Sequence, residues 1–442
     1  MSKNKNLKRA KHHMVFLVAL IFGSILIYFL NALDLRKKGV GVVTLERIMA
    51  PELNSRRQTL SQGDIEMAKT AWQYFVNNYH ENTGLVNSVD NYPSSTLWDT
   101  GNYLMALISA YRIEIISKEV YDKRLNALLS SLQKIELYNG QLPNKVYNAE
   151  SLRMTDYQNN IIGKGIGWSA IDIGRILIPL SYIHFNQPQY TDKIKNILGR
   201  WDIDVMTREG SLYGAVVKKG KESLLQEGRL GYEQYTSKMF ATFGVDITNA
   251  LRYDKYLEFT KIYDVRIPFD KRDKEHSNAN NYVLMEPYML DGLEFGWDYF
   301  SKEFGYRLYM VQKKRYEKTG ILTAVTEDHL DKAPYFIYNC IYVNKKKWVA
   351  IDESGKIHND AKILSTKASF AMNALYHSEY TAKLIGKIQS LRSNRGWYAG
   401  IYEKSGKINS ALTCNTNAIV LESILYKKEG PLLKVIGSKK KG

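Results

Sequence analysis

Acidic residues recur in this sequence just ahead of apolar helical runs, and a carboxyl group fixed in such a place can give or take a proton. Asp99 follows Trp98 in TLWDTGNY, Glu227 opens EGRLGYEQY, Glu286 opens EPYMLDGLE, and Asp328 follows Glu327 in TAVTEDHLD. Two such groups on opposite walls of a cavity suit hydrolysis of a glycosidic bond with inversion, which needs carboxyls about 6.5 to 9.5 Å apart so that a water fits between them. Glu227 is the first candidate for one of the pair, because Gly228 and Gly231 let its loop adopt backbone angles closed to other residues. Asp99, Glu286 or Asp328 supplies the other. Each also has a plainer reading. Asp99 lies three residues after Thr96, as in a capping box; Glu286 starts a helix before Pro287; Thr326, Glu327 and Asp328 resemble a capped turn.

Candidate sugar-binding residues accompany these acids. Trp98, Tyr232, Tyr235, Trp397 and Tyr398 offer flat apolar faces with a polar tip, for stacking on a sugar ring or for packing in a core. Glu233 sits in the first turn of a helix between two tyrosines, where it faces a ligand or complements the macrodipole. Lys367 stands in the first turn of STKASF, where a cation opposes the macrodipole and therefore needs an acidic partner or ligand. Asn415 and Asn417 bond sugar hydroxyls or cap the last helix. A second chemistry is open to the same residues: Tyr232 or Tyr235 as the base of a polysaccharide lyase, with Lys367 neutralising a uronate carboxylate. His184, His276 and His329 have no paired ligand spacing, so neither a metal nor another cofactor is expected.

The elements that must position these groups alternate between two kinds of helix. Ile65, Ala68, Trp72, Phe75, Val76 and Tyr79 form one apolar stripe, the mark of a half-wet outer helix. TLWDTGNYLMALISAY is apolar almost all round, as an inner helix must be. The alternation returns with Tyr121 to Ile135 before GWSAIDIGRILIPLSYI, in which Pro179 is expected to kink or shorten the helix. It returns again with 189–201 before the helix after Glu227, with 251–262 before EPYMLDGLE, with 297–318 before STKASFAMNALYH, and with Tyr380 to Leu391 before NTNAIVLESILY. Six pairs predict an all-α fold, an (α/α)6 toroid, with one small β-hairpin insertion at YFIYNCIYV and KWVAI. In such a ring the inner helices start at one rim, and the acids collect there.

Charge and hydropathy divide the chain further. Met14 to Leu33 is an uncharged apolar run of about the twenty residues that span a bilayer, preceded by Lys3, Lys5, Lys8, Arg9 and Lys11. The expected organisation is a cytoplasmic basic tail over 1–13, a transmembrane signal anchor over 14–33, a linker over 34–61, the toroid over 62–430 and a basic tail over 431–442. The body then lies in the periplasm or outside the cell, on a single-pass inner-membrane anchor. The formal charge is +17 over 442 residues, which fits an acidic polymer or anionic lipid as a partner, with no nucleic-acid motif beside it. Aromatic residues make up 12%, with 32 tyrosines, compatible with a sugar-lining surface. Cys340 and Cys414 are too few and too far apart in sequence for a zinc site.

The runs SSTLWDTGNYLMALISAY, EGRLGYEQY, EPYMLDGLE, RYEKTGILTAVTEDHLDKAPYFIYN, LSTKASF, GWYAGIYE and NTNAIVLESILY, in order over residues 62–427, resemble the DUF3131 family. The resemblance implies a membrane-attached or exported bacterial envelope protein, often associated with exopolysaccharide, with a glucoamylase-like helical toroid. The leading expectation is a glycoside hydrolase acting on an envelope or secreted polysaccharide or oligosaccharide. The lyase, and a non-catalytic protein that binds glycan beside an exopolysaccharide synthase or export complex, stand as alternatives.

Overall fold

The structure, a computed structural model, describes residues 48–51, 57–218, 220–277 and 279–435. Its helices are α1 (Gln62–Asn77), α2 (Leu97–Ile113), α3 (Lys118–Leu132), α4 (Ala170–Asn186), α5 (Thr191–Leu198), α6 (Tyr232–Thr242), α7 (Glu286–Glu294), α8 (Tyr299–Thr319), α9 (Thr366–Tyr376), α10 (Glu379–Ile388) and α11 (Cys414–Glu429). Six of them, α2, α4, α6, α7, α9 and α11, touch in a closed cycle, each against the next, with α11 returning to α2. These are the most deeply buried helices: Gly101 to Ala110 of α2 and Cys414 to Tyr426 of α11 are buried without a break. The α4 helix runs past Pro179 to Asn186. Outside the cycle, α1 packs on α11, α3 on α2, α8 on α7 and α10 on α9. Each of these outer helices buries chiefly one face, as Tyr380, Leu384 and Ile388 do in α10.

The expectation of an all-α (α/α)6 toroid with a single hairpin is overturned by the strands, which form six small sheets of two to four strands among the described residues. The segment read as an outer helix at 251–262 is instead part of a hairpin, β5 (Leu257–Ile262) paired with β6 (Val265–Asp270). Its two turn residues, Tyr263 and Asp264, have φ of 47° and 64°, the left-handed pair that a tight hairpin turn requires. A second unforeseen hairpin joins β3 (Ser211–Lys218) to β4 (Lys221–Gln226). The remaining strands include β1 (Ser94–Thr96) on β2 (Val146–Asn148), then β7 (Glu327–His329), β8 (Phe336–Val343) and β9 (Lys346–Ile351) in one sheet. A last group holds β10 (Ile363–Ser365), β11 (Gly396–Tyr402) and β12 (Ile408–Leu412). β1 and β10 run straight into α2 and α9, so short strands fix where those inner helices begin.

Among the described residues no helix is long and apolar enough to cross a membrane. The span expected at 14–33, the basic tail at 1–13, much of the linker and residues 436–442 lie outside the described residues. Cys340 and Cys414 are both buried free thiols.

Candidate active site

The first turns of the inner helices bring polar side chains to one place: Asp99 in α2, Asp172 in α4, Tyr232 in α6, Glu286 in α7, Lys367 in α9 and Asn415 in α11. At the centre, Lys367 Nζ lies 2.7 Å from Glu286 Oε2. Thr326 Oγ1 donates to the same oxygen at 2.6 Å, and Asn415 Nδ2 to Glu286 Oε1 at 3.1 Å. Burial alone would lower the Lys367 ammonium, but the carboxyls of Glu286, Asp328 and Glu327 outweigh it and hold its pKa above the usual value. Glu286 is thus a closed anchor for Lys367, fully occupied by donors and shut off from water.

Strand alternation decides what β7 contributes. Glu327 and His329 are half-buried on one face, whereas Asp328 between them points inward and is 2% exposed. Asp328 Oδ1 accepts from Ser365 Oγ at 3.0 Å and Oδ2 has no partner; burial pushes this carboxyl well above its usual range. Glu327 Oε2 accepts from the Tyr232 hydroxyl at 2.6 Å. Burial first, then the charge of Glu286, raises Glu327 to about 7, against the opposing pull of Lys367 and Tyr232. Burial and Lys367 lower His329 to about 4, so its imidazole is neutral at ordinary pH.

A second acidic pair sits at the start of α4. Glu227 Oε2 accepts from the Ala170 amide at 2.6 Å, taking one of the unpaired N–H groups of the helix N-terminus. The pair is packed tightly against β3: a β-carbon on Gly214 would stand 2.7 Å from Glu227 Oε2. Burial raises Glu227, while Lys145, Ser169 and the α4 amides act in the opposite direction. Beside it, burial and the charge of Glu227 raise Asp172 to about 7. Asp172, Glu227 and Glu327 are all partly open to solvent, although desolvation dominates their titration.

Aromatic rings line the same concavity. The Trp98 ring meets that of Tyr232 edge-on at 6.2 Å, and Tyr282 stacks on Tyr338 at 3.8 Å. Phe336 stands between Tyr338 and His329, at 5.2 and 4.9 Å. Tyr157 is 55% exposed, yet burial and the nearby charges of Asp172, Glu353 and Glu227 push its phenol upward. Below the floor, Arg175 is wholly buried: it donates to Asn102 Oδ1 at 2.9 Å and Glu422 Oε1 at 2.8 Å, pairs with Glu294, and lies 5.7 Å from the centre of the Trp98 ring.

The other residues expected at the site have different places. Asp99 is 4% exposed, accepting from Thr96 Oγ1 at 2.8 Å and Asn102 Nδ2 at 3.1 Å, and burial raises it. Glu233 is buried against Arg272, 2.7 Å away. Tyr235 lies one helical turn below Tyr232 and donates to Glu294 at 2.7 Å in the core. Trp397 is 0% exposed with its Nε1 on the Met67 carbonyl, and Asn417 holds the Trp397 amide at 2.8 Å. Tyr398 is half-buried on β11. Asp172, His329, Tyr157, Tyr282 and Tyr338 are the cleft residues that the sequence reading passes over; Ser169 and Asp172, three apart at the start of GWSAIDIGRIL, are the signal for the first of them. Asp273, which is buried, and Glu275 and His276 of the short helix Lys274–Ser277 bring ligand atoms within 4.8 Å of one another. There Glu275 pairs with Lys345 and His276 with Asp273, which satisfies the trio without an ion.

The architecture is similar to that of an endo-β-1,2-glucanase from Chitinophaga pinensis, solved with sophorotriose and glucose, at 12% identity and a TM-score of 0.62 over 86% of this chain and 96% of that one. It is also similar to a mutant endo-β-1,2-glucanase from Talaromyces funiculosus, solved with β-1,2-glucan, at 12% identity and a TM-score of 0.59 over 85% of each chain. A candidate glucoamylase from Bacteroides uniformis matches at 11% identity and a TM-score of 0.63 over 87% of this chain and 96% of that one. At such identities the likeness is one of fold. No curated protein sequence matches. The chain belongs to the DUF3131 family, described as a protein of unknown function, whose profile matches residues 66–430.

Proposed function

We propose that this DUF3131 chain is a glycoside hydrolase acting on a polysaccharide bound along the aromatic cleft, with Glu327 as general acid and Glu227 as general base. One observation carries the reading: β7 and the start of α4, both close enough to Asp99 to feel its charge, each present a partly exposed carboxyl raised to about 7, Glu327 and Asp172. A general acid must hold its proton at working pH, and Glu327 does so in useful fraction near neutrality. Of the other pair, Glu227 is raised by burial but accepts the α4 amide, which favours its charged form, and its charge together with burial raises Asp172 to about 7. Glu227 then takes a proton from water on the face of the sugar away from Glu327, which gives inversion. The named substrates of the structural relatives make β-1,2-glucan the first polymer to test.

The lyase reading loses support at its base. Tyr235 is in the core, and burial together with Glu327 and Glu286 drives the Tyr232 phenol well above its usual value, away from the phenolate an elimination needs. The test is incubation of the chain with β-1,2-glucan and a panel of other polysaccharides, following reducing ends and the anomer first released by NMR. New reducing ends of inverted configuration, lost in Glu327→Gln, are expected. Tight binding without turnover would replace the hydrolase with a glycan-binding protein of an export assembly.

The same proposal puts the body outside the cytoplasm on an inner-membrane anchor at 14–33, beside an exopolysaccharide synthase or export complex, on the strength of the basic residues ahead of that run. Protease added to spheroplasts digests the body if this is right; an intact, protected body refutes it.

A further inference from the structure

The cleft gathers acids on every wall: Asp99 and Asp172 at the starts of α2 and α4, Glu227 after β4, Glu286 at the start of α7, and Glu327 and Asp328 on β7. The cations opposing them there are Lys145 and Lys367, and Lys367 is already matched by Glu286. At the rim, exposed Glu353 adds a further negative charge that Tyr157, Tyr282 and Tyr338 all feel. The floor also has polar atoms with no hydrogen-bond partner among the described residues: the acceptor Asn415 Oδ1, Asp328 Oδ2 on a carboxyl that burial pushes well above its usual range, and the donor Trp98 Nε1.

A site of this kind disfavours anions. A uronate or sulfate group entering it adds a negative charge where carboxyl groups outnumber lysines and water screens poorly, so that ionising any of those carboxyls beside it becomes costlier still, and it brings no donor to Asn415 Oδ1. Hydroxyl and amine groups, by contrast, bring donors. We infer that the cleft selects a non-anionic, donor-rich glycan, neutral or amine-bearing, and rejects uronate and sulfated polymers. This rests on the glycosidase reading and opposes what the net charge of +17 by itself suggests. Net charge describes the whole chain, whereas the field inside a low-dielectric cleft is set by the groups that line it.

The experiment measures binding of the full chain carrying Glu327→Gln, by calorimetry at low salt, to oligosaccharides of matched length: a neutral β-glucan, a glucosamine oligomer and a polyglucuronate. Competition of the same oligomers against hydrolysis by the unsubstituted chain gives the same ranking should that variant fold poorly. Neutral or amine-bearing oligomers should bind at least tenfold more tightly than the glucuronate, with the gap narrowing as salt is added. Glu353→Lys, at the rim and outside the catalytic groups, should strengthen glucuronate binding severalfold and leave the neutral oligomer unchanged. Equal or tighter binding of the glucuronate overturns this inference alone, whereas binding of none of the three overturns the glycosidase reading and this inference with it.

Discussion

Lys367 Nζ stands 2.7 Å from Glu286 Oε2 with both side chains almost wholly withdrawn from water, so neither charge can be removed without stranding the other. Lys367→Met should therefore destabilise the fold by about 3–5 kcal/mol in urea unfolding, and Lys367→Met with Glu286→Gln should recover most of that loss. A single variant as stable as the double one would show that the pair contributes nothing.

Glu327 is half-buried and its loss leaves no buried charge behind. Glu327→Gln should lower kcat by about 10²–10⁴-fold at unchanged melting temperature, with a smaller loss on aryl glycosides whose leaving group needs no proton. Equal losses on both kinds of substrate would remove Glu327 from the role of acid.

Tyr232 donates to the Glu327 carboxylate and so favours its charged form. In Tyr232→Phe the Glu327 pKa should rise above about 7, and the alkaline limb of the kcat profile should move to higher pH. A limb that stays in place, or moves down, contradicts the assignment.

Asp172, raised to about 7 in the fold, costs stability wherever it must ionise. In the unfolded chain it ionises near its ordinary value, so between that value and about 7 the folded state binds the extra proton and stability falls as pH rises. Asp172→Asn should leave stability unchanged near pH 3 and add about 1–2 kcal/mol at pH 8, after discount for partial exposure. Denaturant titrations at the two pH values decide it.

Gly214→Ala tests the seat of Glu227 without touching a charge. The new methyl would collide with the Glu227 carboxyl at 2.7 Å, and displacement of a catalytic group by about 1 Å can cost about 10²-fold in rate. The expected result is a large fall in kcat with a melting temperature close to that of the unsubstituted chain.

The acids at inner-helix starts were visible in the sequence because apolar helical runs announce themselves, and a cation in a first turn demands a partner, as Lys367 does. That Glu327 is partly exposed and Asp328 buried was not, because it depends on which face of a three-residue strand turns inward. Asp172 was hidden inside a run read as buried on all sides, although the first turn of that helix opens on the cleft. Tyr235 and Trp397 look like sugar platforms by residue type alone; one helical turn of depth and one step of strand alternation put them in the core. The 251–262 segment read as helix failed because Tyr263 and Asp264, in the left-handed region, turn the chain back as a hairpin.

The cycle of inner helices closes only where α11 packs against α2, joining elements some three hundred residues apart in the chain. Until α11 has been made, α2 has an apolar flank and no neighbour to cover it. The ring therefore cannot be sealed progressively during synthesis or export, and a partly delivered chain is sticky along a whole helix face. Shielding of that face while the chain emerges is a demand this topology places on the cell that makes it.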